Sequence, residues 1–213
     1  ETDTRKRLFG QTGLAYKPAD WLTITGKVFM DHYNTLVQER SAQDLLSNQT
    51  GAYSRTDIEH EELNYQLMAT AKKDISSRFG INATVGGNIM TQEDAVNRGS
   101  LTGLIVGGLY SLTNTTGRVT YADYLYKKRI NSLFADLTLS LDNSQYLELT
   151  GRNDWSSALA KGNNSYFYPS ASYSMVFSNW LKWKWLSYGK FRASVAQIGS
   201  DTDPYRTSLA YAA

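Results

Sequence analysis

Residues 79–89 read Phe79-Gly80-Ile81-Asn82-Ala83-Thr84-Val85-Gly86-Gly87-Asn88-Ile89. In an extended chain successive side chains point to opposite faces. Phe79, Ile81, Ala83, Val85 and Ile89 therefore share one face, and Arg78, Asn82, Thr84 and Asn88 share the other. A helical period would mix the two sets. A slip of one residue would invert both faces, so the pattern specifies a strand with one apolar and one polar side.

The same alternation recurs on both sides of this stretch. Leu22, Ile24, Val28 and Met30 oppose Thr23, Thr25, Lys27 and Asp31, and Leu63, Tyr65, Leu67, Ala69 and Ala71 oppose Asn64, Gln66, Thr70 and Lys72. Further on, Leu133, Ala135, Leu137, Leu139 and Leu141 oppose Ser132, Asp136, Thr138 and Ser140. Leu147, Leu149 and Gly151 oppose Glu148, Thr150, Arg152 and Asp154, and Phe191, Ala193 and Val195 oppose Lys190, Arg192 and Ser194. Weaker patterns at residues 8–17 and 166–177 bring the total to about eight strands of roughly ten residues or more. Ten residues at about 3.3 Å each, tilted by about 40°, rise roughly 25 Å, the height of the apolar belt of an outer-membrane barrel. Strands of ordinary sandwiches are usually about half as long.

The connections fall into two alternating classes. Short turns are expected at residues 18–20, 73–77, 142–144 and, somewhat longer, 178–187; long loops are expected at 34–57, 91–123 and 156–165. Short turns on one side and long loops on the other are the signature of a transmembrane barrel, and this places both chain ends on the extracellular side. Tyr16 and Trp21 flank the first short turn, and Trp180, Trp183, Trp185 and Tyr188 crowd the last, as aromatic girdles do. A small soluble core or an interfacial helical turn is the alternative for the Trp cluster, because Lys182 and Lys184 interleave with the rings.

Composition narrows the function classes. The chain has 213 residues, three Pro and no Cys, so one continuous domain over residues 1–213 is expected, without disulfides, thiol nucleophiles or thiolate metal sites. The most apolar run, residues 101–112, is interrupted by Gly103, Gly107, Gly108 and Ser111 and is too short for a membrane-spanning helix. A net charge of +2 gives no electrostatic case for nucleic acid. The first ten residues, ETDTRKRLFG, carry no apolar segment of a secretory signal, so either the protein stays inside or its front lies upstream.

The segment Leu149-Thr-Gly-Arg-Asn-Asp-Trp-Ser-Ser157, followed by Lys161-Gly-Asn-Asn-Ser-Tyr-Phe-Tyr-Pro-Ser170, resembles the barrel of the SusC/RagA-type TonB-dependent transporters of Bacteroidetes. Phe177-Ser-Asn-Trp-Leu181, Leu186-Ser-Tyr-Gly-Lys-Phe-Arg-Ala-Ser194 and Gln197-Ile-Gly-Ser-Asp-Thr-Asp-Pro-Tyr205 are similar to the strands that follow in that family. The resemblance is dense from Arg129 onward and touches residues 103–110 before it. It implies an all-β antiparallel transmembrane barrel of about 22 strands with an N-terminal plug. About a third of that wall would be present, without plug, TonB-contacting box or terminal aromatic strand. Implied partners are a SusD-like surface lipoprotein, the TonB complex through the missing N-terminal region, outer-membrane lipid, and a glycan or peptide substrate; no cofactor is implied. Isolated, such an arc would leave two unpaired edges in lipid, so the remaining strands are expected in the native molecule. A complete eight-stranded barrel serving as anchor or adhesin is the second reading, since eight strands can close. A soluble carbohydrate-binding sandwich is the third.

Motifs for bond chemistry are scarce: two His, no HExxH, no phosphate-cradling loop and no nucleophile elbow. No enzyme activity is expected. Asp57, Glu59, His60, Glu61 and Glu62 form a metal-like set or, more simply, a solvated acidic rim, because adjacent ligands rarely converge without a fixed turn. Asp201 and Asp203 before Pro204 suit a capped turn. Glu148 and Asp154 share parity but stand about 20 Å apart along a strand, too far for paired-acid sugar hydrolysis. Arg152, Asp154, Trp155, Tyr166 and Tyr168 are candidates for lining the upper lumen, with aromatic faces and carboxylates for a passing substrate. The structural reading pairs Arg152 with a carboxylate of the plug or a neighbouring strand and makes Trp155 an interface anchor. Leu45, Leu46, Leu104, Leu109 and Tyr110 put apolar side chains in long loops, which suggests docking against a partner or folding over the barrel mouth.

Overall fold

A computed structural model describes residues 1–45, 48–181, 183 and 185–206. They form one eight-stranded antiparallel sheet in which sequence order is spatial order: β1 (Thr2–Ala19), β2 (Leu22–Leu45), β3 (Asn48–Asp74), β4 (Phe79–Thr102), β5 (Thr120–Leu141), β6 (Gln145–Ser156), β7 (Ser165–Met175) and β8 (Phe191–Ala196). Each strand pairs with the next, the up-and-down connectivity of a barrel wall.

The strands expected from alternation are all present, but β2, β3 and β4 run to 24, 27 and 24 residues. Twenty-four residues tilted by about 40° rise roughly 60 Å, more than twice the ~25 Å apolar belt. Most of the segments 34–57 and 91–123, expected to be loops, are therefore strand, and the irregular part of the second shrinks to residues 103–119. The physical reason is that a ladder needs only a paired neighbour, whereas the period-two signal needs two differently solvated faces. In these segments both faces carry polar residues, and the signal fades while the pairing continues.

The short turns match their chemistry. Between β5 and β6, Asp142 and Asn143 both take positive φ, 53° and 49°, and Ser144 N–H donates to Leu141 O at 3.0 Å. Both left-handed residues sit in a β-turn within a three-residue connection, Leu141 pairing with Gln145, at residue types that tolerate that region. The neighbouring turn after β3 is tied to it: Asp142 N–H donates to Arg78 O, and Arg78 donates two hydrogen bonds to the Asp142 carboxylate at 2.6 and 2.7 Å. Those hydrogen bonds, and then the charge of Arg78, hold the Asp142 carboxyl below its ordinary value.

The contacts divide the chain into two compact units. One comprises residues 1–10, 29–63 and 91–127, and its core is Tyr53, Leu101 and Leu104, with Tyr110 and Leu112 packed against them. The other comprises residues 11–28, 64–90 and 128–213. In that second unit the large apolar side chains stay uncovered: Leu14, Leu67, Val85, Leu133, Phe167 and Val195 are 57–77% exposed. A water-soluble protein rarely presents so broad an apolar surface. A shallow hollow of about 2060 Å³ on this unit is lined by Leu14, Ile24, Val28, Leu67, Val85 and Leu133. The rings of Trp180, Trp183, Trp185 and Tyr188 are also uncovered, with Trp183 stacked on Trp185 at 5.3 Å, so the cluster forms no soluble core. A short 3-10 turn, Phe177–Asn179, precedes it.

Two glycines let phenylalanines cross the ladder. A Cβ on Gly86 would stand 2.6 Å from the Phe134 ring, and one on Gly151 would stand 3.2 Å from Phe167. Each ring lies over a glycine, an arrangement in which the aromatic shields backbone the glycine leaves bare.

Candidate functional site

Partners directly opposite in an antiparallel ladder share a face. The register pairs Arg152 with Tyr168 and Asp154 with Tyr166, so these four side chains stand together. Arg152 Nε donates to Asp154 Oδ1 at 2.7 Å, and Nη2 donates to Ser132 Oγ at 2.9 Å. Tyr166 and Tyr168 stack with centroids 6.4 Å apart. The carboxylate that pairs Arg152 thus comes from its own strand, two residues on, and the buried hydroxyl comes from β5. Below them Thr150 and Ser170 hydroxyls meet at 2.6 Å. The patch offers a carboxylate, a guanidinium and two phenol rings, a surface for hydrogen-bonding and stacking with a polar ligand.

Trp155 does not join it. It pairs with Ser165 and follows the parity of Leu147, Leu149 and Gly151, so the pleat turns it to the apolar face that also carries Phe167. Trp155, expected beside Arg152, Asp154, Tyr166 and Tyr168, therefore stands on the opposite face of the sheet from them.

The first unit holds a second polar cluster on β1 to β4. Arg7 forms a bidentate pair with Asp31, and His60 Nδ1 meets Asp94 Oδ1 at 2.5 Å while Gln92 donates to Asp94 Oδ2 at 2.6 Å. Tyr33 stacks on His60 at 4.5 Å, and the Arg5 guanidinium lies 4.9 Å from the Tyr33 ring centre and donates to the buried Thr35 hydroxyl. Asp57, Glu59, His60, Glu61 and Glu62 do not converge. The pleat sends Glu59 and Glu61 to one face and His60 and Glu62 to the other, while Asp57 binds Arg55 at 2.9 Å. Among the described residues no group of three or more metal-ligating side chains gathers.

The loop at residues 103–119 is built, not loose. Leu104 is buried against Tyr53 and Leu101, and Gln43 Nε2 donates to its carbonyl at 2.6 Å. Gly103 and Gly108 take positive φ, 81° and 80°, at the bends. Asn114, itself buried, ties the loop from within: Nδ2 donates to Val106 O at 2.8 Å and Leu109 O at 2.6 Å, and Oδ1 accepts from Val106 N at 3.0 Å. What this scaffold holds out is Ile105, Val106 and Leu109, each more than half exposed. Of the docking residues expected from sequence, Leu104 is therefore core, Tyr110 packs against that core, and Leu109 faces outward. Leu46 lies outside the described residues, and of Leu45 only the strand backbone is described. Ile105 and Val106 fall within the apolar run 101–110 expected to dock, but sequence alone does not say which of its side chains turn inward.

Comparisons with known proteins bear on the fold. No protein-family model matches the sequence, and no curated protein does. Solved structures do match. The structure of the RagAB peptide transporter is 16% identical with a TM-score of 0.71, over 91% of this chain and 22% of that one. The RagAB peptide importer in its open-open state gives 19% and 0.73, over 91% and 22%, and in its closed-closed state 18% and 0.69, over 90% and 22%. At these identities the likeness is one of fold. This chain, which spans about a fifth of the length of the RagAB chains it matches, has the fold of one stretch of them.

Proposed function

We propose that the chain is a wall segment of a SusC/RagA-type TonB-dependent transporter of the Gram-negative outer membrane, importing an oligopeptide or glycan nutrient. It forms part of a single barrel domain whose plug and other strands lie elsewhere in the protein. The observation that carries this is the apolar face of the second unit, exposed as only a lipid-facing wall tolerates, on strands that follow a RagAB chain over nine-tenths of their course. The peptide alternative is favoured over the glycan one because the matched structures are those of peptide importers. Arg152, Asp154, Tyr166 and Tyr168 face the channel, and Ile105, Val106 and Leu109 dock a SusD-like surface lipoprotein. Energy enters through TonB at a region outside this chain. No bond is made or broken here.

A self-closed eight-stranded barrel fits less well. β1 and β8 stand at opposite ends of the strand order, and both are exposed along nearly their whole lengths. Such edges require further strands in lipid. The test is import: cells carrying the complete gene take up labelled oligopeptides, and its deletion abolishes that uptake. Equal uptake of every peptide and glycan offered, with and without the gene, would contradict the reading.

A further inference from the structure

The chain after β8 does not stand away from the sheet. Gln197 N–H donates to Pro169 O at 3.0 Å, keeping the segment beside β7. Gly199 lies against Tyr168, where a Cβ would stand 3.1 Å from the ring. Asp201 then accepts from Lys128 Nζ of β5 and from Ser156 Oγ of β6, both at 2.6 Å. From residue 197 to residue 201 the chain thus passes from β7 across to β5. The side it crosses is fixed by parity: Ser156 continues the series of Arg152 and Asp154, and Lys128 that of Ser132, which pairs with Asp154.

The fastening differs from a surface ion pair. The side chains of Lys128 and Asp201 are 14% and 16% exposed, and Ser156 is 2% exposed. Burial pushes the Asp201 carboxyl up, but the hydrogen bonds from Lys128 and Ser156, with the lysine's charge, outweigh it and hold the group below its ordinary value. A charge so placed is costly to leave without its partner.

We propose that residues 197–203 form a gating strap, fastened by Asp201 between Lys128 and Ser156, which lies against the Tyr168 ring at one end of the channel-facing patch and must unfasten before a ligand stacks on that ring. This rests on the reading of that face as the channel. Fastened, the strap places the glycine backbone against the ring a ligand would stack on. Released, it frees Lys128, Asp201 and Tyr168 together, so that entry exposes a cation, an anion and an aromatic face at once.

Two measurements on the complete transporter in outer-membrane vesicles and cells test it. A nitroxide on Ser200→Cys reports the strap itself: an ordered, slow spectrum is expected, turning fast and mobile with Asp201→Ala or Lys128→Met. Spectra unchanged by both substitutions would overturn the fastening. Joining Ser156→Cys to Asp201→Cys with a short reducible cross-linker is expected to lower oligopeptide uptake at least about tenfold, with recovery on reduction. Unchanged uptake when joined would overturn the gate. Absence of uptake by the untreated wild type would count against the transport reading instead, and the two spectra judge the strap independently of it.

Discussion

Gly86→Val is expected to destabilise the wall more than any other single glycine substitution in β4. The new Cβ would stand 2.6 and 2.9 Å from Phe134 ring carbons and 2.7 Å from Leu67 O. The ring can swing; the carbonyl of a neighbouring strand cannot move without disturbing its ladder. Overpacking of this kind costs about 1–3 kcal/mol, and the two γ-methyl groups of valine add to the crowding. The measurement is the urea midpoint of the purified complete protein, against Gly26→Val as control, where nothing lies within 4 Å of the added Cβ. Gly86→Val should lower the midpoint while Gly26→Val leaves it nearly unchanged. Removing the ring as well, with Gly86→Ala in a Phe134→Ala background, should cost less than the two single changes together, because the clash and the cover share one contact.

The second large effect is on association. If the proposed lipoprotein docks here, replacing Ile105, Val106 and Leu109 together by serine weakens its binding by about 2 kcal/mol or more, roughly 30-fold. Folding should be unaffected, since these side chains are already exposed. Asn114→Ala reaches the same tip from behind. It removes the side-chain partner of the Val106 and Leu109 carbonyls and of the Val106 N–H, leaving the Val106 carbonyl only the 3.4 Å bond from Leu109 N–H. Each lost hydrogen bond is worth about 0.5–1.5 kcal/mol net, so losing three loosens the loop. Both variants should lose the partner in a pull-down from detergent while retaining the migration of the folded barrel. Full retention of the partner by the triple variant would move the docking surface elsewhere.

The strand carrying Gly86 is legible from residues 79–89 alone, because an apolar side and a polar side write themselves into alternate positions. The lengths of β2 to β4 are not, since Thr91-Gln92-Glu93-Asp94 continues a ladder with polar residues on both faces and leaves no period to read. Trp155 suits Arg152 and Asp154 by its chemistry, yet parity alone sends it to the other face. Asp201, in its Asp-Thr-Asp-Pro context, suits a turn, but its partners lie 73 and 45 residues away in sequence, beyond any local signal. The loop at residues 103–119 announces itself as apolar. Which of its side chains are core depends on Tyr53 and Gln43, from a different hairpin, and that too is a non-local fact.

A barrel wall requires β6 to have one face in lipid and one in water. Nitroxides placed singly at residues 147–154 of the complete protein in a bilayer report this through relaxation by oxygen, which favours lipid, and by a water-soluble nickel chelate. Oxygen should dominate at Leu147 and Leu149, and nickel at Glu148, Thr150, Arg152 and Asp154, with the two profiles opposed at a period of two. Accessibility to nickel at every position, or profiles without alternation, would contradict it.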